Sequence, residues 1–188
     1  KPGMAVPIGF GETLSGFISE PGEMDCYTFE AVAGDILLMD MATASMLDPY
    51  IRVYGPDGLV LYTWYNENGP GVAGYYTPPL PATGTYKVLV GDYGDGTETG
   101  AYGFFVQRIN NPGLATPLVF GEPVTGAIDL VGERDTYTFN AVEGDVIGVR
   151  ISTTSPYLDS SISVYDPDGM WLSSWSKTGP GTLEFVIG

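Results

Sequence analysis

The chain is written twice. Slid against itself by 110 positions, Ala5-Val-Pro-Ile-Gly-Phe-Gly-Glu12 falls on Ala115-Thr-Pro-Leu-Val-Phe-Gly-Glu122, and Gly22-Glu-Met-Asp-Cys-Tyr-Thr-Phe29 falls on Gly132-Glu-Arg-Asp-Thr-Tyr-Thr-Phe139. Between Ala5–Asp35 and Ala115–Asp145, 17 of 31 positions are identical. After a one-residue insertion, Leu47-Asp-Pro-Tyr-Ile-Arg-Val-Tyr-Gly-Pro-Asp-Gly58 matches Leu158-Asp-Ser-Ser-Ile-Ser-Val-Tyr-Asp-Pro-Asp-Gly169; Trp64 meets Trp175, and Gly69-Pro-Gly71 meets Gly179-Pro-Gly181. Whatever fold the chain takes, each copy must encode it, with the junction near Asn110-Asn-Pro-Gly113.

Within a copy the apolar period is two. Ile51 and Val53 alternate with Arg52 and Tyr54; Tyr86, Val88 and Val90 alternate with Thr85, Lys87 and Leu89; Tyr102, Phe104 and Val106 alternate with Gly103, Phe105 and Gln107. Short β-branched and aromatic runs of this kind, bounded by turn residues, read as half-buried strands. Gly55-Pro-Asp-Gly58 and Asp166-Pro-Asp-Gly169 place Pro and Gly where tight turns need them. With 27 glycines and 15 prolines, and no capped amphipathic stretch of helical length, the chain is expected to be all-β: tandem antiparallel β-sandwich domains, jelly-roll-like, over 1–110 and 111–188.

The second copy is shorter. Thr182–Gly188 corresponds to Val72–Pro78, and nothing matches Pro79–Ile109, the stretch holding the last two strands. Each large apolar side chain buried there is worth roughly 1.5–3 kcal/mol, and a sandwich without them exposes unpaired edges. Either the polypeptide continues or another chain supplies the strands. The edge expected to accept them carries Leu183, Phe185 and Ile187.

Charge and composition exclude several function classes. Twenty-three acids against seven scattered bases give a net charge of −16, wrong for nucleic acid, whose phosphates need basic clusters. The longest purely aliphatic run, Ile36–Met39, is too short for membrane insertion. Without histidine there is no Ser-His-Asp arrangement, and most catalytic zinc sites are excluded, so the chain is expected not to be an enzyme. The single Cys26 cannot form an intrachain disulfide and reads as an inert thiol. A chain opening on Lys1 reads as a mature or trimmed product.

Calcium takes six to eight oxygen ligands. The best local set is Asp92, Asp95 and Glu98 in the glycine-rich loop Asp92-Tyr-Gly-Asp-Gly-Thr-Glu98, which also reads as a solvated hairpin loop. A second set is the duplicated Asp25 and Asp135, with Asn110 and Asn111 at the junction; Asp at a strand start also orders turns by accepting backbone N–H groups. Among the aromatics, Tyr62 and Trp64 alternate with Leu61, and Trp171 and Trp175 stand opposite Leu172. If the leucines face the core, these four form an outer recognition surface; the other reading packs them beneath the loops Asn68–Gly74 and Lys177–Gly181.

Taken in order, Gly22-Glu-Met-Asp-Cys-Tyr-Thr-Phe29, Ala33-Gly-Asp35, Leu47–Gly58, Leu80-Pro-Ala-Thr-Gly-Thr-Tyr86 and Gly100-Ala-Tyr-Gly-Phe104 resemble the pre-peptidase C-terminal domain family of secreted bacterial and archaeal proteins. The resemblance covers nearly all of Pro7–Ile109, and Pro117–Gly188 as far as the copy runs. It implies a secreted or cell-surface, non-catalytic sandwich beside a peptidase or other extracellular domain, with collagen- or polysaccharide-binding relatives and calcium near the first strands. Members often open with an acidic segment; Lys1-Pro-Gly-Met4 has none. Two functions follow as expectations. One is an accessory module engaging a polymer substrate or neighbouring extracellular domain. The other is a filament subunit, identical copies completing one another by strand complementation.

Overall fold

The structure, a computed structural model, describes residues 4–188, so Lys1-Pro-Gly3 of the acid-poor opening lies outside the described residues. Among them there is no helix, and therefore none long and apolar enough to cross a membrane. The chain is all-β, in two compact units, Lys1–Thr138 and Phe139–Gly188.

The first copy closes into two facing sheets. One holds β1 (Val6–Pro7), β3 (Met24–Ala31), β8 (Gly84–Asp92), β5 (Pro49–Tyr54) and β6 (Val60–Tyr65), in that order across the sheet. The other runs β2 (Glu12–Ile18), β9 (Gly100–Arg108), β4 (Leu37–Thr43), β7 (Gly71–Tyr76). All pairs are antiparallel except β1 with β3. The period-two runs behave as their pattern demands: Ile51, Val53, Tyr86, Val88, Val90, Phe104 and Val106 are fully buried between the sheets, against Leu37, Met39 and Met41.

β8 and β9 are internal strands. β8 hydrogen-bonds both β3 and β5, and β9 both β2 and β4. The segment without a counterpart in the second copy therefore supplies the middle of each sheet rather than its margin.

The first compact unit extends past the junction of the repeats because the start of the second copy lies on the outer face of β4 and β9. On that face Leu38, Asp40 and Ala42 of β4 and Phe105 and Gln107 of β9 are buried. Gln107 donates from Nε2 to the Gly113 carbonyl (2.8 Å) and to Thr136 Oγ1 (2.9 Å), and its Oε1 accepts the Gly113 N–H (2.9 Å). Gly103 is required here: a Cβ on it would lie 1.7 Å from the Val131 carbonyl oxygen. Arg134 Nε donates to Asp40 Oδ2 at 2.5 Å. Beside it, β10 (Thr116–Pro117) pairs with β11 (Tyr137–Thr138) in parallel, Thr116 opposite Tyr137, which is the Val6–Tyr27 register of β1 and β3 moved by 110.

The second unit consists of two separate ladders. β12 (Ile147–Thr153) pairs with β15 (Gly181–Ile187), and β13 (Ser160–Tyr165) with β14 (Trp171–Lys177). Val164 and Phe185 are buried, but Ile147, Val149, Ile151 and Ile162 are only half-buried, where their counterparts Leu37, Met39, Met41 and Ile51 are completely enclosed.

Burial pushes the Asp40 carboxyl above the usual range, against the pull of Arg134. A raised folded-state value means that this group's contribution to stability grows as pH falls towards the ordinary carboxylate range and shrinks as pH rises through the raised one. Arg134→Met, which installs the residue of repeat one's Met24, leaves Asp40 buried without its cation. Removing one partner of a buried pair costs about 3–5 kcal/mol; with Arg134 itself 43% exposed, the expected loss at pH 7 is about 2–3 kcal/mol. Urea unfolding at pH 7 and pH 4 should show the loss shrinking on acidification.

Candidate functional site

The loop from β8 to β9 brings three acids together. One carboxylate oxygen each from Asp92, Asp95 and Glu98 lies within 4.8 Å of the others, the one such group of three among the described residues. The loop folds back on itself to do this. Asp92 Oδ1 accepts the Asp48 N–H (2.8 Å) and Oδ2 the Glu98 N–H (3.2 Å); Asp95 Oδ1 accepts the Thr97 hydroxyl (2.8 Å), which also reaches Glu98 Oε2 (3.1 Å). Burial raises the Asp92 pKa, and the Glu98 carboxylate beside it adds to the rise. An all-oxygen, all-anionic set of this spacing suits a hard divalent cation such as calcium.

The other candidate ligands are not brought to this loop, and three have structural partners. Asp25 Oδ2 accepts the Tyr102 hydroxyl at 2.5 Å, and the Tyr102 and Tyr27 hydroxyls lie 2.7 Å apart. This triad joins β3 in one sheet to β9 in the other, with the Tyr102 ring seated over Gly16, where a Cβ would come within 2.2 Å of it. Burial first, and the bond to Asp25 second, hold the Tyr102 phenol far above its ordinary range. Asp135 and Tyr137 keep the local half of the motif, 3.4 Å apart. Asn110 is a brace: Oδ1 accepts the Ile36 N–H (3.1 Å) and Nδ2 donates to the Gly34 carbonyl (3.0 Å). Asn111 is exposed. Cys26 is half-buried, its thiol pushed up by burial and so less reactive.

Tyr62 and Trp64 do not form an outer surface. Ile51 stands opposite Trp64 and Val53 opposite Tyr62, so these aromatics share the inward face, while a bulge at Val53/Tyr54 lets Leu61 pack on the core as well. Trp64 stacks on Tyr62 (5.2 Å between centroids) and across to Tyr75 of the opposite sheet (4.6 Å), closing the margin between β6 and β7. The second copy repeats the clasp: Trp175 stacks on Phe185, the counterpart of Tyr75, at 3.5 Å. Of the four proposed surface aromatics, Trp171 is exposed, at 58%.

The strand expected to carry the acceptor edge is paired on one side. Leu183, Phe185 and Ile187 pair on one side with Ile151, Val149 and Ile147, so β15 has the place of the margin strand β7, and β12 and β15 each keep one edge without a ladder partner.

A different surface lies on the outer face of the five-stranded sheet. Tyr65 and Tyr93 stack in parallel at 3.7 Å and 1°, Tyr50 lies 6.1 Å from Tyr93, and the Arg52 guanidinium sits 5.3 Å from the Tyr50 ring. Tyr93 belongs to the acidic loop, so the two features adjoin. On the same face an open concavity of about 920 Å³ is lined by Met24, Cys26, Thr28, Tyr54, Lys87 and Leu89. The signal was present in the sequence: Tyr50 and Arg52 alternate with inward Ile51 and Val53, and their counterparts in repeat two are Ser161 and Ser163, as Ser176 is that of Tyr65.

Neither a protein-family model nor a curated protein matches this sequence. Among solved structures, the chain is similar to the pre-peptidase C-terminal domain of a collagenase from Bacillus anthracis (17% identity, 57% of this chain and 98% of that one, TM-score 0.45). It is also similar to PliG, a periplasmic inhibitor of g-type lysozyme, from Aeromonas hydrophila (20%, 54% and 93%, 0.43) and from Salmonella Typhimurium (21%, 56% and 98%, 0.41). At these values the likeness is one of outline, and function has to come from this chain's own side chains.

Tyr102→Phe removes the donor to Asp25 and the partner of the buried Tyr27 hydroxyl, and should lower stability by about 1.5–3 kcal/mol in urea unfolding. Glu98→Gln takes away the negative neighbour of Asp92 and should move its titration down towards the ordinary carboxylate value, read by carboxyl carbon NMR. Because a raised folded-state value erodes stability as pH rises through it, the same change should leave the protein slightly less favoured by acidification.

Proposed function

We propose that this chain is a non-catalytic binding and structural β-sandwich module of an extracellular or periplasmic protein, and that repeat one engages its partner through Arg52, Tyr65 and Tyr93, with the buried Tyr50 packed behind Tyr93. The observation that carries this is the contrast between the copies. Positions that build the sandwich keep their character: Trp64 and Trp175, Ile51 and Ile162, Val53 and Val164. Three outward positions of β5 and β6 are Tyr50, Arg52 and Tyr65 in one copy and Ser161, Ser163 and Ser176 in the other; Tyr65 is exposed and Arg52 half-buried, while Tyr50 is buried against Tyr93. Tyrosine and arginine give large contact area at small conformational cost and dominate recognition surfaces. Flat stacked phenols suit a sugar ring or an extended protein polymer, and the net charge of −16 disfavours a polyanion.

The same reading assigns calcium to Asp92, Asp95 and Glu98. Neutralising three adjacent carboxylates would steady the loop that presents Tyr93, so millimolar calcium should raise the melting temperature of the chain and leave that of Glu98→Gln nearly unchanged.

The binding face is tested by depletion from solution on cellulose, chitin and collagen fibres. Retention on one of them should fall at least about tenfold in Tyr65→Ala, the scale of one recognition hot spot, and stay the same in Trp171→Ala. Equal retention of wild type and Tyr65→Ala, or retention on none of the three, counts against this face.

A further inference from the structure

We propose that Tyr65 and Tyr93 form a site of oxidative cross-linking, where a peroxidase and hydrogen peroxide join the two phenols into an intramolecular dityrosine. This goes beyond the binding role given to the same face and does not depend on it. Coupling needs both O–H groups and the ring carbons beside them, whereas stacking on a partner needs only the rings.

The fold brings these rings together from separate strands. β5 lies between β6 and β8, so the backbones that carry Tyr65 and lead into Tyr93 are two strand spacings apart, roughly 9–10 Å. Tyr65 stands opposite Tyr50 in one ladder, and Gly91 stands opposite it in the other. Two residues past Gly91, the Tyr93 N–H donates to the Asp48 carbonyl (2.8 Å) and fastens the start of the loop beside β5. On the other side the Asn66 N–H donates to the Pro49 carbonyl (2.9 Å). From these anchors the two rings converge beside the buried Tyr50 and meet face to face, with 3.7 Å between centroids and 1° between planes. Their hydroxyls are hydrogen-bonded to each other, so both phenols point the same way and the ortho carbons of one ring face those of the other.

Reacting atoms couple readily when held about 3–3.5 Å apart in the right orientation, and the stack keeps the rings close to that spacing. Tyr65 is 47% exposed and Tyr93 half-buried, so an oxidant in solution reaches them. The neighbouring tyrosines are placed differently. Tyr50 is buried and 6.1 Å from Tyr93, and the Tyr27 and Tyr102 hydroxyls meet inside the sandwich. The hydrogen bond with Tyr65 first, and burial second, hold the Tyr93 phenol above its ordinary range, so it enters the reaction protonated at neutral pH.

Each phenol gives up one electron and its O–H proton, leaving two phenoxyl radicals. The two electrons and two protons reduce one hydrogen peroxide to two waters. The radicals pair by a carbon–carbon bond between one ortho carbon of each ring, and the hydrogen on each joined carbon moves to the oxygen, restoring both phenols. The product is two hydrogen atoms lighter than the starting chain, and the bond staples β6 to the loop that follows β8.

The test oxidises the full chain, dilute enough to disfavour coupling between molecules, with a haem peroxidase and limiting hydrogen peroxide, and reads the monomer. Its intact mass should fall by two hydrogen atoms and dityrosine fluorescence should appear. Cleavage after Lys and Arg should release residues 53–87 joined to 88–108, with the link at Tyr65 and Tyr93. Tyr65→Phe and Tyr93→Phe each keep a stacked ring and remove one O–H, and should lower the yield of that link at least about tenfold. Tyr157→Phe, at a residue 95% exposed, should leave it unchanged. The depletion assay on polymers reads the binding role separately, so either proposal can fail alone. The cross-linking site is overturned if the monomer gains no dityrosine while free tyrosine couples under the same conditions. It is also overturned if the link joins other residues, forms only between chains, or is as abundant in either of the two stack variants as in the unaltered chain.

Discussion

Two strands hold the sandwich together. β8 and β9 each hydrogen-bond neighbours on both sides, and each contributes three inward side chains that no other element replaces. Sheets of this kind are stable because their inner faces are sealed against one another and their backbone groups are paired. Where both middle strands are present, Met39, Met41 and Ile51 lose all contact with water. Over Ile147–Ile187, the same alternation gives two ladders of two strands with half-exposed inner faces.

The tyrosine triad and the aromatic clasp serve the same closure from different places. Tyr102 reaches from one sheet to Asp25 and Tyr27 in the other, so a buried polar network fixes how the sheets meet near the start of β3. Trp64 and Tyr75 do so at the opposite margin through stacked rings. With those positions committed to closure, the outward positions of β5 and β6 are free to differ between copies, and there tyrosine and arginine replace serine.

Much of the architecture was legible in the sequence because period two identifies strands. The acidic loop was legible because its three ligands are neighbours in the chain. The rest depends on information that alternation does not hold. The bulge at Val53/Tyr54 changes which residues of β6 point inward, so Tyr62 and Trp64 fell on the wrong face. The partner of Asp25 is 77 residues away, so a carboxylate that looked like a ligand or a turn former proved to be an acceptor for Tyr102. Alternation also says which way Leu183, Phe185 and Ile187 point, but not that they pair with Ile151, Val149 and Ile147. The stack of Tyr65 on Tyr93 joins a strand to a loop, and no local pattern links the two.

The buried pair of Arg134 and Asp40 has a mechanical meaning. Residues after Gly113 cross the outside of β4 and β9, fastened by Gln107, by the close approach of Val131 to Gly103, and by that ion pair. A pull applied beyond Thr138 loads this strap before it reaches any strand of the sandwich. Peeling it away would break the Gln107 bonds, the Val131–Gly103 contact and the Arg134–Asp40 pair while leaving the strand pairing behind it intact.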